Sequence, residues 1–284
     1  MLPPRLHVLL ARDARTAVVL RRGPSKTACA IGWDRRRDTF AVGQWLRARV
    51  YERRSDLSPD GRYLIYFAMN GRWDSATQGA WTAISRAPNF AAVALFGKGD
   101  CWHGGGLFAT KREYWLNDGY GHHTLGDTTL VSRANPAPFR ATWGGECWGV
   151  YFNRLARDGW TMHRDLSIET PGARTIVFER PIGHGWRLRK LAHASSGSKP
   201  PGKGVYYDEH ELVHDRREVP RPAWEWADID GKRLIWAEHG ALWAGSISAR
   251  SARGDDPVAG VERLHDFSEM TFTPIAAPYP HVIV

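Results

Sequence analysis

The stretch at residues 84–108, ISRAPNFAAVALFGKGDCWHGGGLF, recurs at residues 131–152 as VSRANPAPFRATWGGECWGVYF. Arg86 aligns with Arg133, and Asp100-Cys101-Trp102 aligns with Glu146-Cys147-Trp148, at offsets of 47 and 46 residues. A third copy, FERPI at 178–182, places Arg180 another 47 residues on. A fixed period of about 40 to 50 residues, filled with short β-type runs, is the sequence mark of a propeller blade. The expected fold is therefore an all-β β-propeller forming a single domain over residues 1–284. Dividing the chain by the period gives six blades, with five as the alternative. Sharing of N- and C-terminal strands in one blade would close the ring and remove an exposed edge.

Outward from this stretch, residues 16–21, 27–33 and 39–46 read as strands. SDLSPDG at 55–61 reads as a turn cluster, with Pro59 fixing φ and Gly61 supplying a left-handed position. YLIYFA at 63–68 is too short and too aromatic for a helix and reads as a fully buried strand. Residues 81–86, 104–108 and 112–116 continue the pattern, and 119–127 is a loop holding His122 and His123. Residues 149–152, 159–163, 174–180 and 186–192 are expected to be four strands in a row, the clearest complete blade. SSGSKPPGKG at 195–204 is an exposed linker by composition. Beyond it, 205–207 and 223–228 restart the strands, and 274–284 is a tail or a last edge strand. No helix is expected.

Two stretches resemble a known family. SPDGRYLIYFA followed by AWTAISRAP, within residues 55–86, looks like the WD40-like repeats of the TolB-type propellers, in which Ser-Pro-Asp-Gly precedes a strand. DIDGKRLIWAEHGALWAGSI at 228–247 is a shorter echo without the Ser-Pro. The resemblance implies a propeller and carries no ligand with it, because turn-strand units of this kind serve unrelated functions.

Composition narrows the class. Fourteen tryptophans in 284 residues favour sheet over helix. No run approaches the ~18 apolar residues that cross a bilayer, so no membrane partner is expected. The N-terminal MLPPRLHVLLARDAR lacks the apolar core and cleavage site of a signal peptide. Three cysteines do not make a disulfide framework, and a cytoplasmic setting is expected. The net charge of +9 is uneven: residues 1–54 hold thirteen Lys/Arg against four acids, which is the whole excess. That basic first unit, with Arg35, Arg36, Arg37, Arg53 and Arg54, reads either as a surface for an acidic macromolecule or as a solvated face. A protein or another acidic macromolecule is the expected partner, with nucleic acid as a further possibility.

The chemistry-bearing candidates are few. Asp100 and His103 beside Gly104–Gly106, together with His122, His123 and Glu146, are the residues that could meet a ligand. Against this, the recurrence of acid-Cys-Trp favours a blade junction with Trp102 as filling. His103, His122, His123, Cys101, Cys147 and Glu146 are metal-ligand types, yet no HExxH or paired CxxC frames them, so no metal is expected. Asp56, Asp100, Glu146 and Glu179 fall in successive units, and two of them 5 to 10 Å apart would suit a glycosidase-like hydrolase with a carboxylate-lined pocket. Dinucleotide, phosphate-loop and GxSxG signatures are absent, and no cofactor is expected. The expected function is a non-catalytic intracellular binding platform, with the hydrolase as the alternative.

Overall fold

The structure, a computed structural model, describes residues 3–23, 26–119, 121–140, 143, 146–197, 199–201 and 203–282. Pro24 and Ser25, between the expected strands 16–21 and 27–33, the Gly144-Gly145 pair of the second repeat copy, and Ser198 and Gly202 of the linker lie outside the described residues, as do Tyr120 of the 119–127 loop and the last two residues of the tail. The chain divides into two compact units, residues 1–154 with 270–284, and residues 155–269.

The first unit opens with a four-stranded antiparallel meander, β1 (Arg5–Leu10), β2 (Thr16–Arg22), β3 (Ala28–Asp34) and β4 (Thr39–Leu46), paired in chain order. A second meander follows as β5 (Arg49–Leu57), β6 (Tyr63–Met69), β7 (Ala80–Arg86) and β8 (Ala92–Gly97). A small third sheet holds β9 (Gly106–Phe108) and β10 (Glu113–Leu116). β11 (His123–Gly126) adds to β8 at the edge of the second sheet, and β12 (Ser132–Arg133) pairs with β10 in parallel.

The YLIYFA run behaves as its composition demands. Leu64, Tyr66 and Ala68 face a core shared with Leu9, Val18, Leu20 and Ala30 of the first sheet. Tyr63 and Ile65 face the opposite core, with Phe96, Phe108, Tyr114 and Leu116. A strand covered on both faces must be apolar at every position, and each large side chain so buried contributes about 1.5–3 kcal/mol. The Ser58-Pro59-Asp60-Gly61 turn enters this strand. Ser58 Oγ accepts from the amides of Arg62 and Tyr63, and Gly61 takes φ +75°. The echo at Asp230-Gly231 forms a like turn, with Gly231 at φ +65° and Asp230 paired to Arg233.

One expected strand is a helix. α1 (Cys147–Arg157) covers 149–152, and it buries Cys147, Trp148, Val150, Tyr151, Phe152 and Leu155. Trp148 and Phe152, one turn apart, stack with ring centroids 5.0 Å apart. This corrects the repeat reading as well. Trp148 is buried on a helix, whereas Trp102 is 54% exposed on a loop, so the two tryptophans do not occupy equivalent sites.

The second unit holds two further meanders. The first is β13 (Thr161–Thr170), β14 (Ala173–Gly183), β15 (Trp186–Ser195), β16 (Tyr206–His214) and β17 (Arg217–Pro220). The second is β18 (Trp224–Asp230), β19 (Arg233–Glu238), β20 (Ala241–Ser246) and β21 (Ala259–Asp266). Trp224 and Trp236 stack at 4.8 Å between neighbouring strands. The described chain is thus all-β with one α-helix, in five sheets, none closed on itself. The expected shared strand does not form among the described residues, since β1 pairs only with β2 and residues 270–282 form no strand. Instead that segment lies on the first unit: Phe272 packs on Trp45, and the Val282 amide donates to the Ala92 carbonyl.

Candidate functional site

A meander places successive turns at alternate ends of its sheet, and this sorts the first unit's polar residues into two groups. At one end meet the turns that follow β1, β3, β5, β7 and β9. The Asp13 amide donates to the Pro59 carbonyl at 2.8 Å and the Arg35 amide to the Arg15 carbonyl at 2.9 Å. Arg12 Nη2 reaches the Phe108 carbonyl at 3.3 Å.

Two depressions sharing Asp13 open at this turn end. The larger, about 700 Å³, has a floor of Ala14, Ala17, Val18, Gly32, Ala41 and Pro88. Arg15, Arg36 and Arg37 stand on its rim with Asp13 and Asp34. The smaller, about 550 Å³, is bounded by Arg12, Lys111 and Arg112. All six cations are exposed, against two acids. Low-dielectric walls under like charges concentrate a positive potential there.

The five arginines singled out by sequence separate sharply. Arg36 and Arg37 are exposed in the turn between β3 and β4, with Arg37 Nη1 3.6 Å from Asp34 Oδ2. Arg35 points the other way, donating from Nη2 to the Ala11 and Ala14 carbonyls, and so ties two turns together. Arg53 pairs with Glu52 at 3.4 Å and lies over the Tyr151 ring. Arg54 is buried, bonded to the Cys101 and His103 carbonyls and lying over Tyr51 and Phe67. Burial works against ionisation of Glu52, but Arg22 at 3.0 Å and Arg53 outweigh it and hold the carboxyl below its usual range. Arg35, Arg53 and Arg54 therefore hold the fold together, because each guanidinium is spent on a neighbour inside the unit.

Most of the ligand candidates gather at the opposite end, on the loops after β8 and β10. His122 Nδ1 is 2.8 Å from Asp118 Oδ1, and its Nε2 is 3.2 Å from Thr82 Oγ1. Arg133 reaches the other Asp118 oxygen at 3.3 Å. Burial pushes the His122 imidazole down against the pull of Asp118. Asp118 also lies low, since His122 and Arg133 outweigh its own burial. The order Thr–His–Asp has the look of a nucleophilic triad, but Thr82 is fully buried and its Oγ1 already accepts from the Gly105 amide at 2.8 Å. The arrangement pins loops to the sheet.

Asp100 pairs with the buried Lys98 at 2.8 Å and caps the Trp102 amide. The His103 ring lies against Gly119, and His123 Nε2 contacts the Ala76 carbonyl at 3.1 Å, on β11 rather than in a loop. Glu146 stands one residue before α1, where its carbonyl accepts from the Gly149 amide. The structure thus brings Asp100, His103, His122 and His123 to one loop end and leaves Glu146 with the helix. Of the other carboxylates weighed, Asp56 accepts from the Phe108 amide, and Glu179, in the second unit, is gripped by Arg187 and Arg189 at 2.7 and 2.8 Å. Among the described residues no group of three His, Cys, Asp or Glu side chains is placed to hold a metal ion.

Sequence reasoning missed Arg12, Arg15, Lys111 and Arg112, which are scattered along the chain and meet only through the turns. It also missed Asp118, although its spacing of four from His122 was in view. No family model matches the chain, and no curated protein or solved structure matches it either.

Proposed function

We propose that the chain is a non-catalytic binding platform, whose propeller-like sheets carry a basic face on the first unit for an acidic macromolecular partner. The single observation behind this is the lining of two adjoining depressions at the turn end, of about 700 and 550 Å³, which holds six exposed cations against two acids. In this reading the five sheets act as blades, so the count is five rather than six, and the TolB-like turn-strand units are blade parts with no ligand of their own. A cytoplasmic setting belongs to the proposal and rests on three unbridged thiols, Cys29, Cys101 and Cys147.

The test is a salt titration of labelled poly-glutamate and of a labelled single-stranded oligonucleotide. Affinity for at least one should fall steeply with salt, as contact with several charges requires. Arg36→Glu with Arg37→Glu should abolish it, while Arg216→Glu with Lys232→Glu, a reversal at exposed sites on the second unit, should leave it intact. Failure of both probes to bind at low salt, or equal loss in both double variants, overturns the reading.

A further inference from the structure

We propose that residues 39–42, the first half of β4, receive an extended acidic peptide as a fifth strand of the first sheet. This rests on the reading of the turn end as a site for an acidic partner, and it names that partner's form.

β4 is the terminal strand of its sheet and pairs only with β3. Its two halves differ. The second half is covered: Gln44 Nε2 donates to the Ile275 carbonyl at 3.0 Å, and Gln44 Oε1 accepts from the Phe90 and Ala91 amides, both at 2.8 Å. Trp45 packs against Phe272. In the first half Thr39, Ala41 and Val42 are exposed and Phe40 is half-buried. Val42 reaches 46% exposure. A bulge at Gly43, between the pairs Ile31–Val42 and Ala30–Gln44, divides the halves.

An uncovered edge strand presents a row of backbone donors and acceptors that another strand can pair with. Chains guard such edges with lysine, proline or charges pointing along the strand. The sequence Thr39-Phe40-Ala41-Val42 has none of these. The long edge strand β13 contrasts with it: Leu166 and Ile168 are exposed there too, but Arg164, Asp165 and Glu169 are interspersed.

The chemistry of the occupant follows from the two faces of β4. Phe40, stacked on Trp33 with centroids 5.6 Å apart, and Val42 project to one side and offer an apolar contact. Thr39 and Ala41 project to the other, into the 700 Å³ depression with Arg15, Arg36 and Arg37 at its mouth. A segment alternating apolar and acidic residues meets both. Four paired residues span about 13 Å. Peptides that add to a sheet edge take affinity from the main chain and specificity from alternate side chains. A nucleic-acid strand fits less well, because Trp33, the one aromatic residue lining the depression, is buried and stacked on Phe40, so its face is closed to bases.

The experiment uses the full chain and a labelled peptide of alternating aspartate and valine, its analogue N-methylated at alternate amides, and a single-stranded oligonucleotide. The peptide should bind at low salt, and the N-methylated analogue should bind at least about tenfold more weakly, since a few main-chain hydrogen bonds are lost. Amide exchange at residues 39–42 should slow on binding, and Val42→Ser, which removes the apolar contact at an exposed site without adding a charge, should weaken the peptide without unfolding the chain. Equal binding of the two peptides, or unchanged exchange at 39–42, overturns strand addition. Binding of the oligonucleotide but not the peptide overturns it too, while leaving the basic face standing as a polyanion site. If no probe binds at low salt, strand addition and the basic-face reading both fail.

Discussion

The guanidinium of Arg54 donates a 2.7 Å hydrogen bond to the carbonyl oxygen of Cys101, across 47 residues of chain. A second bond from the same nitrogen reaches the His103 carbonyl, so one buried side chain on β5 holds the whole loop between β8 and β9. A buried guanidinium that donates to carbonyls and lies over aromatic faces within the unit cannot also face a partner. In position and partners Arg54 belongs to the fold, although in sequence it is one of a basic run.

Replacing Arg54 by Ala should therefore cost about 3 kcal/mol or more, since it empties a buried site and strands two carbonyls. Arg36→Ala, at an exposed turn position, should stay within about 0.5 kcal/mol. Urea denaturation of the two variants checks both values. A small loss for Arg54→Ala would mean that the loop is held by something else.

The tryptophans separate in the same way. Trp148, 6% exposed and stacked on Phe152, should cost about 3–5 kcal/mol when changed to Ala. Trp102, 54% exposed, should cost little, and its fluorescence should be open to quenching by iodide. Equal losses for the two would restore the equivalence that the repeat suggested and the helix denies.

Where side-chain alternation and turn chemistry decide structure, the sequence was readable. The strand 39–46 is found at its expected bounds, and 63–68 is the doubly buried strand its composition required. The helix α1 escaped because Val150-Tyr151-Phe152 was read as a β-type run by residue type. Residues 147–152, 154 and 155 are all buried, so the helix is covered nearly all round and carries no apolar stripe to set its period apart from that of a buried strand. The site was half legible. Clustered arginines drew attention, but whether a guanidinium points outward depends on tertiary neighbours, as Arg35 shows by turning back onto Ala11 and Ala14. Arg12 and Lys111 lie 99 positions apart, and only the alternation of meander turns brings them to one depression.

His210 gives the second unit a pH dependence with a definite sign. Its Nδ1 donates to the Trp224 carbonyl at 3.0 Å, and Lys190 Nζ stands 3.3 Å from Nε2. Burial, reinforced by the Lys190 charge, pushes the imidazole down to about 3. In the unfolded chain it titrates near 6.5, so acidification protonates the unfolded state first and stability falls as pH drops below about 6.5. The slope from this group approaches about 1.4 kcal/mol per pH unit. Urea midpoints at about pH 7, 6 and 5, above the carboxylate range, should decline more steeply in the native chain than in His210→Gln. Parallel declines would show that His210 is protonated in the fold.

Gly43 sets the spacing between the first sheet and the turn that follows β7. A methyl group built on it would overlap the Pro88 carbonyl, although the backbone conformation there suits any residue. The turn is clasped on the same strand by Gln44, which takes the Phe90 and Ala91 amides at 2.8 Å. Gly43→Ala must push the turn outward, at a cost of about 1–3 kcal/mol as in other overpacked sites. It should also strip exchange protection from the Phe90 and Ala91 amides. Gly71→Ala is the control: its surroundings are open and its φ is +73°, so only backbone strain of about 1 kcal/mol is added. Because Ala87 and Pro88 line the larger depression, Gly43→Ala should also alter polyanion binding while Gly71→Ala leaves it unchanged. Protection retained at Phe90 and Ala91 in the Gly43 variant would mean that the turn, and with it the depression's wall, does not depend on that close approach.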